Sequence, residues 1–200
     1  MLLNLEAGTN VNQPGKFIFP VIDGEPQVGT FSLLSTVNLH RFFNAEKGFY
    51  FYTSNESEYT AASYRAASGR EGYEYEYEGE RFTVLASNKD SLTGLPVEGV
   101  KPVYRFFNTE NGEHFYTIEE SEKNNIIENS SDYIFEGAHF YAFDSPSGNS
   151  NTIPIYRMHD TQSGAYLYTS DLDEINSIRD NLSYFEMQNN GDPVFYAFEL

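Results

Sequence analysis

VYRFFNTENGEHFYT, Val103 to Thr117, stands in this chain in two further, altered versions. One is LHRFFNAEKGFYFYT, Leu39 to Thr53, and the other is IYRMHDTQSGAYLYT, Ile155 to Thr169. Arg41, Arg105 and Arg157 fall in register, as do Gly48, Gly112 and Gly164 and the pairs Tyr52-Thr53, Tyr116-Thr117 and Tyr168-Thr169. Each stretch runs into an acidic one, SNESE, IEESE or SDLDE, which aligns Glu58, Glu122 and Glu174. Each then reaches a second aromatic run, YEYEGERFTVL, YIFEGAHFYAF or FEMQNNGDPVFYAF. So many coincidences at three places mark an internal repeat of roughly 45 residues, and the repeat decides the fold.

Within a copy the order of elements is readable. VYRFFN is an aromatic strand, NTENGE a turn in which Asn108 can form an Asx turn and Gly112 can supply positive φ, and HFYT the returning strand of a hairpin. Thr117 three residues before Glu120, like Thr53 before Glu56, has the spacing of a capping box that starts a helix. EESEKNNIIEN is the helix of copy two, with Ile126 and Ile127 expected to face the core. YIFEGAHFYAF is expected to be two short strands about Glu136-Gly137. In copy one, alternation puts Tyr73, Tyr75 and Tyr77 on one face and Glu74, Glu76 and Glu78 on the other.

One such unit is too small to bury both faces of its sheet. The expected fold is therefore α+β and β-rich: three diverged ββ-helix-ββ repeats with pseudo-threefold symmetry around a shared aromatic core. A solenoid is the alternative, and it would leave sheet edges open. We read residues 1–200 as a single domain. Residues 1–37 form an N-terminal pairing segment with two short strands about a Gly-Glu-Pro turn, and the copies occupy 38–87, 102–145 and 154–200. The stretches 88–101 and 144–152 are loops by composition.

Composition narrows the function. The core is built from 17 Phe and 16 Tyr with no Trp, and no cysteine is available for disulfides or thiol chemistry. Twelve basic against 30 acidic residues give a net charge of -18, which repels phosphate and anionic membrane and favours cations. Nucleic acid and membrane insertion are accordingly not expected. MLLNLEAGTN has neither the basic start nor the apolar length of a secretory signal, and a monomeric module within a larger protein is expected.

Features common to all copies serve a common fold, so each arginine is expected to pair with the glutamate of its own copy, Arg105 with Glu122 for instance. Function is sought where copy three departs from the others. It has Met158-His159-Asp160 for Phe-Phe-Asn, and Gln188-Asn189-Asn190-Gly191-Asp192 where the others have Glu-Gly. Asn189, Asn190, Asp192 and Asp160 are the candidate Ca²⁺ ligands, being hard oxygen donors around a glycine, although the DxDxDG spacing of an EF-hand is absent. Two further oxygen-rich groups are Asp171, Asp173 and Glu174, simply explained as favourable charge at a helix start, and Asp144 with Asn149 and Asn151. Tyr156, Arg157, His159 and Tyr166 are the candidate ligand contacts. The four histidines have no metal-ligand spacing, and GxSxG, P-loop and GxGxxG motifs are absent.

PVYRFFNTENGEHFYT, residues 102–117, resembles the hallmark of a bacterial secreted repeat family without an assigned function, whose members carry a PVYRFYN-type strand, a glycine turn, HFYT, an acidic helix and a closing EG-aromatic strand. The resemblance covers about residues 38 to 200, and copy two matches it best. It implies a cell-surface or secreted setting, often beside hydrolase or adhesin modules. In size and make-up the chain also resembles the ligand-binding domains near the tip of large RTX adhesins, which work in Ca²⁺-rich surroundings and capture glycans or peptide termini. The expected function is a non-catalytic, Ca²⁺-dependent extracellular module that attaches a bacterial surface protein to a peptide or glycan on a target cell. A structural spacer and a glycan or cell-wall hydrolase accessory domain are the alternatives.

Overall fold

The computed structural model describes residues 33–68, 75–147 and 152–200 in full, and the backbone of residues 17–22 and 25–29. Strands β1 (Phe17–Ile22) and β2 (Glu25–Gly29) pair with each other as a separate antiparallel sheet. Glu25 and Pro26, expected in the turn, already belong to β2, and the turn itself lies outside the described residues. So do Tyr73, Asn149 and Asn151.

The rest is three successive segments with one order of elements. The first is β3 (Thr36–Asn44), β4 (Phe49–Thr53), α1 (Glu56–Ser68) and β5 (Tyr75–Leu85). The second is β6 (Val100–Asn108), β7 (His114–Thr117), α2 (Glu120–Asn129) and β8 (Tyr133–Phe143). The third is β9 (Thr152–Asp160), β10 (Tyr166–Thr169), α3 (Leu172–Asn181), β11 (Phe185–Met187) and β12 (Phe195–Phe198), with a 3₁₀ turn at Asn189–Gly191. Among the described residues the protein is thus β-rich with three helices, and all the strand pairings are antiparallel.

In each segment the first strand is central, flanked by its hairpin partner and by the closing strand. The hairpins turn for one local reason. The side chains of Asn44, Asn108 and Asp160 accept the N–H of Lys47, Glu110 and Gln162, while Gly48, Gly112 and Gly164 take φ of 72°, 83° and 78°. The closing strand of the first two segments is one continuous strand and not two. Gly79 and Gly137, at φ 94° and 93°, sit where the register shifts, so Glu-Gly makes a bulge in a long strand where a turn was expected.

The helix starts differ from the expected capping boxes. The side chains of Asn55 and Asp171 accept the first helical N–H groups of α1 and α3, and Glu119 precedes α2. Thr53 is freed for another task, since its hydroxyl donates to Glu58 at 2.6 Å. Helix α2 buries no residue: Ile126 is half-buried, and Ile127 is 52% exposed, contrary to expectation.

The three segments meet along their closing strands, through Leu85 opposite Tyr141, Tyr196 opposite Phe143 and Phe198 opposite Thr83. Behind these contacts lies one cluster that draws matching residues from each segment: Leu39, Val103 and Ile155; Phe82, Phe140 and Phe195; Val84, Ala142 and Ala197; and Tyr52, Tyr116 and Tyr168. The gap among these rings admits no water molecule. Leu34 packs into a second cluster with Leu85, Val100 and Phe143, tying the chain ahead of β3 to the body.

Candidate functional site

β4, β7 and β10 are edge strands, each paired on one side only, so their outer backbone groups need partners. Three tyrosines supply them across segment boundaries. Tyr52 Oη donates to the Tyr168 carbonyl (3.0 Å) and accepts the Tyr168 N–H (2.9 Å). Tyr168 Oη treats Tyr116 in the same way (2.8 and 2.9 Å), and Tyr116 Oη treats Tyr52 (2.7 and 3.3 Å). The bonds close a ring, with the phenyl rings edge to face at 5.5–5.8 Å. Burial pushes all three phenols well above their ordinary pKa, which keeps them neutral donors.

The arginines run in the same direction one layer out. Each grips a glutamate of the preceding segment in the cycle, and not its own as expected. Arg41 holds Glu174 with Nη1 and Nη2 at 3.1 and 2.7 Å, Arg105 holds Glu58 at 2.8 and 2.7 Å, and Arg157 holds Glu122 at 3.1 and 2.8 Å. These forked pairs are the strong form of ion pair. Burial works against the charge of Glu58, but the hydrogen bonds from Arg105 and Thr53 outweigh it and hold its pKa down at about 2. Glu174 is lowered by Arg41 against the same opposition.

The three arginines differ at Nε. Arg41 Nε donates to Glu78 at 2.5 Å and Arg105 Nε to Glu136 at 2.6 Å, both on the closing strand of their own segment. Arg157 Nε is buried and has no partner among the described residues. Its guanidinium lies over the rings of Phe115 (4.7 Å) and Tyr166 (5.7 Å), and Tyr166 stacks on His159 with centroids 4.7 Å apart. Arg157, His159 and Tyr166 are therefore brought together. Tyr156 is not: it lies on the other face of β9, packed against the Met158, Leu167 and Ile175 cluster.

The four expected Ca²⁺ ligands do not converge. Asp160 accepts from Gln162 N, Ser163 N and Ser163 Oγ, holding the hairpin turn as Asn44 and Asn108 do. It pairs with Phe185 at one end of β11, whereas Asn189, Asn190 and Asp192 lie beyond the other end. The Asn189 amide donates to the carbonyl of Pro193 at 3.0 Å, inside its own turn. Asp171 caps α3, Glu174 is held by Arg41, and Asp144 pairs with Lys101 at 3.0 Å. Among the described residues no three His, Asp or Glu side chains form a metal-holding group, and no helix is long and apolar enough to cross a membrane.

Two features escaped sequence reasoning. Glu113 stands at the position of Phe49 and Ala165, directly after the turn glycine, and is 1% exposed. Its Oε1 accepts from Tyr133 Oη at 3.1 Å, its Oε2 has no partner among the described residues, and burial pushes its pKa up to about 7. The mismatch Phe/Glu/Ala in the alignment was the available signal. The second is the group around Arg105, where His114 and His139 approach Glu136 and Glu58 at 3.5 and 3.8 Å. Burial, with the Arg105 charge, holds their pKa values down at about 3 and about 4, so both are neutral and neither contact is an ion pair.

Fold and site together define a cysteine-free, β-rich α+β domain whose segments are held by side chains shared in a ring. The chain belongs to the family described as a domain of unknown function, DUF5648, whose model matches residues 38–191. No curated protein matches the chain. No solved structure matches it either.

Proposed function

We propose that this domain is a non-catalytic extracellular binding module of a bacterial surface protein, built from three diverged copies of one repeat around a pseudo-threefold axis. Its ligand is a peptide terminus or a glycan, and the third copy carries the contacts. One observation supports both halves of this reading: the side chains common to all three segments are consumed in holding the segments to one another. The tyrosine ring and the three Arg–Glu forks use the aligned tyrosines, arginines and glutamates. What differs between segments is left for recognition, and the third differs most, at Met158, His159, Asp160 and Gln188, which surround the candidate contacts Arg157 and Tyr166.

The tip domains of RTX adhesins offer the nearest functional analogy, through size and composition. Calcium dependence rests on the charge of -18 and on no assembled ligand set. It is checked by thermal unfolding in excess calcium and in chelator at matched ionic strength. An ion at about a hundred times its Kd adds roughly 2.7 kcal/mol, and for a domain of this size that is a rise in Tm of about 5–10 °C. The module itself is tested on peptide and glycan arrays at millimolar calcium, with His159→Ala and Tyr166→Ala expected to lose whatever signal the parent protein gives. A silent array with both classes of ligand would overturn binding and favour the spacer.

A further inference from the structure

In the first two segments the glutamate that meets the arginine Nε–H is 27% (Glu78) and 30% (Glu136) exposed, so that acceptor position lies at the protein surface. Strand register identifies the residue at the same position in the third segment. Glu78 follows Tyr77, the partner of Phe42, and Glu136 follows Phe135, the partner of Phe106. Gln188 follows Met187, the partner of Met158. Its amide makes no hydrogen bond to Arg157 Nε, and the chain leaves the sheet immediately after it in the turn Asn189–Gly191.

Arg157 is 6% exposed and faces one glutamate where Arg41 and Arg105 each face two. A buried donor left without an acceptor is costly, and a charged one more so. Resting on the binding-module reading above, we propose that the position beside Arg157 and Gln188 is a binding site for a ligand carboxylate, which displaces the side chains that cover the Nε–H and takes it as Glu78 and Glu136 do in the other segments. Tyr166, stacked on His159, borders the guanidinium. A phosphate dianion is disfavoured by Glu122 on the Nη side and by the acidic surface as a whole. A single carboxylate restores the charge balance of the other two sites. The carboxylate can end a peptide or belong to an acidic sugar.

The test is NMR titration of the arginine Nε–H resonances in uniformly ¹⁵N-labelled protein, with the Arg157 signal identified by its loss in Arg157→Lys. The probes are N-acetylglycine for a peptide terminus and glucuronate for an acidic sugar, with N-acetylglycinamide and sodium chloride as controls. The expected result is a saturable downfield shift of that one resonance with a carboxylate probe and no shift with the amide or the salt. Tighter binding of N-acetylglycine assigns the site to peptide ends, and tighter binding of glucuronate to acidic glycans. Gln188→Glu keeps the arginine and fills the position from within, so it should weaken either probe at least tenfold. Should Arg157→Lys fail to fold, Gln188→Glu identifies the resonance by the shift it causes at the Arg157 Nε–H and still decides the matter. Absence of a saturable shift, the same shift with chloride, or undiminished binding by Gln188→Glu overturns the site. Array binding that persists after such a failure leaves the module standing and moves its contact surface elsewhere.

Discussion

The tyrosine ring and the arginine layer around it are built on the same cycle and have diverged to different degrees. In the ring every position is the same residue three times, with one donated and one accepted hydrogen bond each. In the arginine layer the inward-facing fork is kept three times, but the outer partner at Nε is Glu78, then Glu136, and in the third segment nothing among the described residues. The difference follows solvent access. The ring hydroxyls are wholly buried, whereas the carboxylates at the outer rim are about one-third exposed. The residues shared by all three segments thus hold the segments to one another, and the differences lie at the partly exposed rim.

Removing one ring hydroxyl should give the largest effect. Tyr116→Phe leaves the buried N–H and C=O of Tyr52 without partners, at a cost of about 4 kcal/mol. For a domain of this size Tm should fall by about 8–16 °C in a thermal melt. Tyr104→Phe is the matched control, since its hydroxyl meets Lys123 and the exposed Glu120 and no buried backbone group, and it should change stability by less than about 0.5 kcal/mol. Equal effects of the two variants would break the distinction between axis and surface.

A second test uses Glu113, buried beside the hairpin turn of the second segment. The carboxyl of Glu113 is raised by burial from the ordinary 4.5 to about 7 in the folded protein. Below 4.5 it is protonated in both states and imposes no penalty. As pH rises through 7 the folded protein must ionise a buried group, and stability falls by about 3 kcal/mol relative to a protein lacking it. Glu113→Gln should therefore melt roughly 6–12 °C above the parent at pH 8 and close to it at pH 4.5. His114 and His139 act in the opposite sense. Their folded values of about 3 and about 4 lie below the usual 6.5, so they add stability as pH rises towards 6.5. That contribution is present in both proteins and cancels in the difference. A pH-independent gap would show that Glu113 is ionised throughout or reached by water.

Much of this architecture was legible in the sequence because local chemistry fixed it. The Asn/Asp and Gly turns, the alternation of Tyr75 and Tyr77 and the acidic helix starts all read directly. The partner of each arginine did not, because register identifies a glutamate by type and leaves open which copy supplies it. Glu-Gly was ambiguous for a similar reason. A glycine at positive φ serves a turn or a bulge equally, and only the long pairing of β8 with β6 chooses the bulge. At the candidate site, adjacency in sequence grouped Tyr156 with Arg157, although neighbouring residues on a strand point to opposite faces. The orphaned Nε of Arg157 has no local signature, since it arises from what Gln188, more than 30 residues later, fails to provide.

The smallest expected effects are the most pointed, because they exchange the characters of two rims. Glu136→Gln gives Arg105 the surroundings that Arg157 has, and Gln188→Glu gives Arg157 those of Arg105. The carboxylates concerned are about one-third exposed, so screening limits each change to about 1 kcal/mol, or 2–4 °C in Tm. The signs should be opposite, with the first variant less stable and the second more stable than the parent. Both shifts should shrink in molar salt, as expected for charges that water reaches. If Gln188→Glu instead lowered Tm, the third rim would not be short of a carboxylate. The backbone turn after Gln188 would then have closed the position that Glu78 and Glu136 occupy, and the divergence of the third segment would be a change of shape and not of charge.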